Sequence, residues 1–529
     1  MNLNLNPNQR PSGFKSGSHI FYGSTLAIMM LASPVLAGAA RGPLASTGAV
    51  AVATDVAITL SLREALLTSL ENNTALRVQR WTPAIQKTYE QQAAAVFDPA
   101  VTAQAQKDRA YNTQAPPFSA TNQANLDNLS GGVGITEFLP TGTRIVLQGI
   151  TEVDSSTLYS DRQASSQAGL SVAQSLLRGF GTSVNLASLR QARLDTQVTE
   201  YELRGYTETF VAQVETAYWS LALARRQLEI VKQSLALAER QRDEIAARIR
   251  VGKLSQVELK SAEAEVALRH EFLIDAQGTL EKRRLKIIQL VNPPGAGKWN
   301  LEVFLKDAPP VPREPLADVN THVAVAMRMR PDINQARLSI QRGELEIIKT
   351  RNGLLPRLDA FVNLGKTGYG DSFGWATRDL NGDGNDLAVG LQFEYVLGNR
   401  DARAKHRRAT YSLDQTREAM DNLKQLAEVE VRSAYVEVVR AREQVAATAA
   451  ARQLQEDVME AETGKLLVGK STALLVAVAA RDLLSSQITE SLAIVTHLDA
   501  YIELYRLEGS LLERRGLDAP GREPLPGPN

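Results

Sequence analysis

The sequence predicts a mainly helical, internally duplicated protein. Long coiled-coil helical hairpins are combined with four or more β-strands of the membrane β-barrel kind. Three observations carry this. A shift of 217 positions lays the segment from about Phe180 to His270 over that from about Leu397 to Thr489 without a gap. Gly181 falls on Gly398, Arg190 on Arg407, Val214 on Val431, Tyr218 on Tyr435, Gln227 on Gln444, and Val251-Gly252-Lys253 on Val468-Gly469-Lys470; a constant offset over such a length marks a duplication. Within the first copy, Phe210, Val214, Ala217, Leu221, Ala224, Leu228, Val231, Leu235 and Ala238 recur at spacings of four and three, the heptad signature of helices that pack side by side. Outside the hairpins, apolar and polar residues alternate with a period of two, the pattern of strands with one apolar face.

The elements follow in order. Arg10 and Lys15, then apolar Leu26–Leu36, then Ala37-Gly38-Ala39 read as an export signal over residues 1–39. Residues 40–60 are rich in small side chains and read as flexible. Ser61 and Glu64 form a capping box that opens a helix. The first structural repeat runs over 61–291 and the second over 315–515. Between them, 292–314 is a Pro/Gly-rich equatorial linker, and 516–529 reads as a disordered tail. From Val184 to Arg250 the only helix breaker is Gly205; one helix of that length measures about 100 Å.

Strand alternation is clearest in Val101/Ala103/Ala105, in Leu170/Val172, in Leu358/Ala360/Val362/Leu364 and in Leu387/Val389/Leu391/Phe393/Tyr395. Such strands suit a membrane barrel or a half-buried antiparallel sheet. A second offset, 257, lays Leu76 on Ile333, Pro99 on Pro356 and Ala103 on Ala360. The first half therefore holds about 40 additional residues around 107–166. They include a hairpin turning at Pro140-Thr141-Gly142 and read as an extra hairpin or an extended external loop.

Composition excludes several classes. Fifty-nine basic and 59 acidic residues balance to a net charge of zero, which gives no global attraction to nucleic acid. The chain has no cysteine, so it has no disulfide or thiolate chemistry. No apolar run beyond the N-terminus reaches the roughly 20 residues of a membrane helix. The five histidines (His19, His270, His322, His406, His497) never fall at metal-ligand spacing. The segment from Asp379 to Gly384 begins like a calcium loop but has Gly390 where glutamate is needed, so it reads as a turn. Arg400, Arg403, Lys405, Arg407 and Arg408 read as a solvated face. No catalytic residue, metal or cofactor emerges.

The two hairpin tips carry the most specific motif. They read Val251-Gly252-Lys253-Leu254-Ser255-Gln256-Val257-Glu258-Leu259 and Val468-Gly469-Lys470-Ser471-Thr472-Ala473-Leu474. With Ala262 and Ala479 closing the pattern, the chain resembles the TolC-like outer-membrane efflux channel family over about Leu60 to Gly516. The resemblance implies a homotrimer in the outer membrane of a Gram-negative-type cell. Each protomer would give four strands to a shared 12-stranded barrel and four helices to a periplasmic tunnel. It implies a passive exit duct working with a periplasmic adaptor protein and an inner-membrane pump, in contact with outer-membrane lipid and not with nucleic acid. The tips would dock the adaptor through Val251, Gly252, Lys253, Leu254, Ser255, Val257, Leu259, Val468, Gly469, Lys470, Ser471, Thr472 and Leu474.

Some family members close the tunnel with acidic residues six and nine positions after the second tip glycine. Here those positions are Leu475 and Val478, with Glu258 and Ser261 in the first copy. A hydrophobic gate that closes by dewetting is the expectation instead. The other reading of the whole chain is a periplasmic coiled-coil scaffold or adaptor without a pore; lipid-facing strands separate the two.

Overall fold

A computed structural model describes residues 57–112, 124–156, 162–252, 254–295, 297–310, 316–518 and 521. The export signal, most of the flexible segment and most of the C-terminal tail lie outside the described residues.

The first half opens with β1 (Ile58–Leu60) and helices α1 (Leu62–Asn72), α2 (Thr74–Gln79) and α3 (Trp81–Ala94). The capping box at Ser61 and Glu64 is formed in both directions. Four strands follow: β2 (Ala100–Asn112), β3 (Ala124–Phe138), β4 (Thr143–Ser156) and β5 (Gln163–Ser175). A short α4 (Thr182–Asn185) leads into α5 (Ala187–Arg250) and α6 (Gln256–Val291). The second half has β6 (Val303–Leu305), α7 (Val319–Met329), α8 (Pro331–Asn352), β7 (Arg357–Gly370), α9 (Phe373–Asp379) and β8 (Asn385–Glu394). It ends with α10 (Arg400–Leu467), α11 (Ala473–Glu508) and α12 (Leu511–Arg514).

The duplication is visible in the helix ends. Shifted by 217 positions, the last residue of α5, Arg250, lands on the last of α10, Leu467, and both ends of α6 land on both ends of α11. The helices run past His270 and Thr489, where residue identity between the copies fades. Helix formation needs only an amphipathic pattern, not identical side chains. Of the nine heptad positions of α5, eight are buried and Leu228 is half-buried. Around the first four of them, Leu66, Tyr218, Ile287, Val303, Ile502 and Leu511 form one cluster, the equatorial core.

Two segments read on composition as flexible and as linker meet here. β1 pairs in parallel with β6, and both are too short for a period to register in sequence. Leu517, in the segment read as tail, also packs against this core.

The six longer strands form one antiparallel sheet in the order β2-β3-β4-β5-β7-β8. The 257-residue offset aligns β2 with β7, so the additional residues of the first half are the hairpin β3–β4. Among the described residues the sheet therefore has six strands, which meets the expectation of four or more and exceeds the four that the resemblance implies. The turn falls where sequence places it: Gly142 has φ +90°, and Leu139 N–H donates to Thr143 O at 2.8 Å.

Pairing puts most of the apolar residues of the six strands on one face, with Val146, Ile150 and Phe361 among those on the other. One row reads Val101, Ile135, Leu147, Leu170, Leu364 and Leu387. The adjacent row, on the other face, reads Thr102, Gly134, Gln148, Gly169, Gly365 and Asp386. At the end of the sheet far from the helices, α9 lies on the apolar face. Gly368 permits that approach, since a Cβ there would come within 2.4 Å of Ala376 O. Phe373 and Trp375 of this helix are exposed. Asp379, the first residue of the calcium-like segment, accepts the Tyr369 N–H at 2.8 Å and so serves a turn.

Candidate functional site at the hairpin tips

Both tips are built alike. After α5, Gly252 takes φ +74° and donates to Ile249 O at 2.9 Å. After α10, Gly469 takes φ +77° and donates to Leu466 O at 3.2 Å. Left-handed glycine is the usual stop for a helix, and here each permits reversal within five residues. The return helices are capped by side chains. Ser255 accepts the Val257 N–H at 3.2 Å, and Thr472 accepts the Leu475 N–H at 3.4 Å.

The sequence-predicted docking residues divide by exposure. Val251, Val257, Val468 and Leu474 are 60 to 75% exposed, which places four apolar side chains in water at the end of the molecule. Ser255, Lys470 and Thr472 are exposed, whereas Leu254, Leu259 and Ser471 are half-buried. Lys253 lies outside the described residues. Arg248 Nη1 donates to Leu466 O at 3.5 Å and brings the two tips together. Within the second tip, Glu462 receives Lys465 Nζ at 2.6 Å and Ser471 Oγ at 2.7 Å. These two hydrogen bonds, Lys465 first, hold its carboxyl below the ordinary range.

Leu475 and Val478 lie on the exposed side of α11, while Val476 and Ala479 turn inward to cluster with Met459 and Leu237. Glu258 and Ser261 are half-buried on α6. The basic run at the head of α10 is exposed, with Lys405 paired to Asp401 at 2.7 Å.

A second polar constellation, at the equator, was not expected. Glu508 at the end of α11 is fully buried and receives His322, Ser510 Oγ at 2.7 Å and Arg514 Nη2 at 3.2 Å. Burial opposes its charge, but the bonds from His322 and Ser510 and the charges nearby hold its carboxyl below the ordinary range. Glu215, also fully buried, takes Arg515 in a fork at 2.6 and 2.8 Å. Tyr218, a repeated position read in sequence as packing, is buried and donates to Leu60 O at 3.0 Å and Asp307 Oδ2 at 3.1 Å. These pairs fasten the C-terminal segment and the equatorial strands to α5.

Arg204 stands between two carboxylates, Glu208 at 3.4 Å and Glu513. Burial pushes the Glu208 carboxyl up to about 8, against the pull of Arg204. A carboxyl with a raised folded pKa binds its proton more tightly folded than unfolded. Stability is then lost as pH climbs from the unfolded value near 4.5 through about 8. At about 1.4 kcal/mol per pKa unit, the effect amounts to a few kcal/mol. Denaturant midpoints of the wild type should fall between pH 5 and 9, and Glu208→Gln should flatten that slope. An equal slope in the variant would assign it to another group.

Comparison with known proteins places this geometry. Residues 324–510 match the family model described as outer membrane efflux protein. Those residues run from within α7 to just past α11 and include the second long hairpin. No curated protein sequence matches the chain. Among solved structures, the outer-membrane channel OprN is similar at 17% identity and TM-score 0.65, covering 85% of this chain and 90% of that one. The CmeC outer membrane channel of Campylobacter jejuni is similar at 13% identity and TM-score 0.61, covering 90% and 94%. The outer membrane protein VceC of Vibrio cholerae is similar at 15% identity and TM-score 0.61, covering 85% and 96%. The chain has the fold of these proteins.

Proposed function

We propose that this chain, which carries the outer membrane efflux protein pattern on the fold of outer-membrane channels, is the passive exit duct of a tripartite efflux or secretion system. Three copies would form a barrel in the outer membrane and a helical tunnel in the periplasm. An adaptor protein would dock at the tips and relay the energy of an inner-membrane pump. The mechanism is conduction, with no bond made or broken.

The observation that carries this is the two-faced sheet. One face carries an apolar band across all six strands, and the other is mostly polar, with Gln104, Gln148, Gln167, Ser171, Asn363 and Gln392. That is the arrangement a wall between lipid and water requires. A sheet with free edges leaves unpaired backbone groups that hydrocarbon does not satisfy, so closure with further copies is needed. The helices support assembly as well. Leu426, Val429, Val436, Val439, Leu454 and Val458 share one side of α10 and are exposed in the single chain. A neighbouring copy seated there would bury them.

Single-channel recording of the detergent-purified protein in a planar bilayer tests the proposal. Discrete conductance steps are expected, larger in Val478→Gly, which loosens the candidate hydrophobic gate. Silence from both proteins, each verified as a folded assembly, would refute the duct and favour a scaffold without a pore.

A further inference from the structure

The hairpin β3–β4 exists only in the first repeat, and four features make it wall rather than ornament. It is long enough: β3 has 15 residues and β4 has 14, against the roughly 9–11 that a tilted strand needs to cross a bilayer. It descends fully. Its turn is fastened beside the start of α5, with Asn185 Nδ2 donating to Pro140 O at 3.0 Å and Gly181 N–H to Thr141 O at 3.1 Å. A loop standing outside the membrane would not reach that level. It continues both faces, since Ile135 and Leu147 extend the apolar row while Gly134 and Gln148 extend the polar one. Finally, it keeps the parity. With six strands the edges β2 and β8 run in opposite directions, so β2 of one copy meets β8 of the next antiparallel.

The register also carries the tilt of a barrel. The row from Val101 to Leu387 begins one residue beyond the start of β2 and ends seven residues short of the end of β8. A six-residue drift over five strand spacings inclines the strands by about 40°, within the range of about 35–45° for outer-membrane barrels.

We infer that the hairpin belongs to the pore wall, and that three copies close an 18-stranded barrel by pairing β2 of each copy with β8 of the next. This rests on the trimeric duct proposed above and changes its dimensions. At this tilt, 18 strands enclose about 36 Å between opposite backbones, against about 24 Å for 12 strands. Sizing of the cargo then falls to the periplasmic end, and the membrane passage is open to any solute that the tunnel has admitted.

The absence of cysteine makes the test direct. A nitroxide is attached at Leu170→Cys on β5, and in a second protein at Leu387→Cys on β8, and spin–spin distances are measured between copies in the detergent-purified assembly. In a three-fold ring the backbone separation is about 31 Å for 18 strands and about 21 Å for 12 at equal tilt. Labels on the lipid-facing side stand about 7 Å outside the backbone and add about 12 Å, so a main distance of about 43 Å at both positions supports the inference. A main distance of about 33 Å overturns it and leaves the trimer standing. No defined distance at either position removes the trimer, and the inference with it.

Discussion

Glu508→Ala is expected to cost about 3–5 kcal/mol of stability, because removing one partner of a buried charged cluster strands the others. The stranded groups are His322 and the hydroxyl of Ser510, while Arg514, 39% exposed, falls back on water. The site lies where α11 ends, beside Leu511 and Leu512, both fully buried, so the loss should spread to the docking of α12. Glu508→Gln keeps an acceptor for Ser510 and should lose distinctly less. Denaturant midpoints of the purified variants provide the measurement. A cost below about 1 kcal/mol for alanine would mean that the buried cluster contributes nothing net, an outcome seen where a charge cluster is replaceable by apolar packing. The pH sense is opposite to that of Glu208. With its folded pKa depressed, Glu508 contributes stability above its ordinary value of 4.5 and loses it as pH falls through the lower, folded one.

At the other end of the molecule, the double variant Val257→Asp, Val468→Asp should abolish coupling while leaving the fold alone. Both valines are exposed in the single chain, so a carboxylate costs little before docking. Against an apolar partner surface each unpaired charge should cost about 2 kcal/mol or more. The pair then lowers affinity by about a thousandfold, since 1.4 kcal/mol is tenfold. Export in cells and binding of the purified adaptor should both collapse, with circular dichroism and oligomeric state unchanged. Wild-type adaptor binding by this variant would exclude the tips as the docking surface.

What could be read from the sequence was what has a local period or a local partner. The heptads of α5, the capping box at Ser61 and Glu64, the turn glycines Gly252 and Gly469 and the strand alternation each involve residues close along the chain. The equatorial cluster has no such signature. His322 meets Glu508 across 186 residues and Arg515 meets Glu215 across 300. A lone histidine or glutamate on an amphipathic helix reads as a solvated face until the fold brings its partner. β1 and β6 escaped because a pairing of three residues is shorter than any period. The two offsets locate the insertion in the sequence but leave its nature open. An extra hairpin and an external loop share the same alternation, and only the pairing of β3 with β2 and of β4 with β5 distinguishes them.

The mismatch between four strands in the first half and two in the second gives the two ends of the chain different genetic robustness. Below the sheet the long hairpins have twins: a change at Val251 leaves Val468 in place, and the second tip keeps its original chemistry. Within β3 and β4 there is no twin, so a substitution there alters a strand with nothing in reserve. Tolerance to mutation should therefore be graded along the long axis, broad at the duplicated helices and narrow in the unduplicated hairpin.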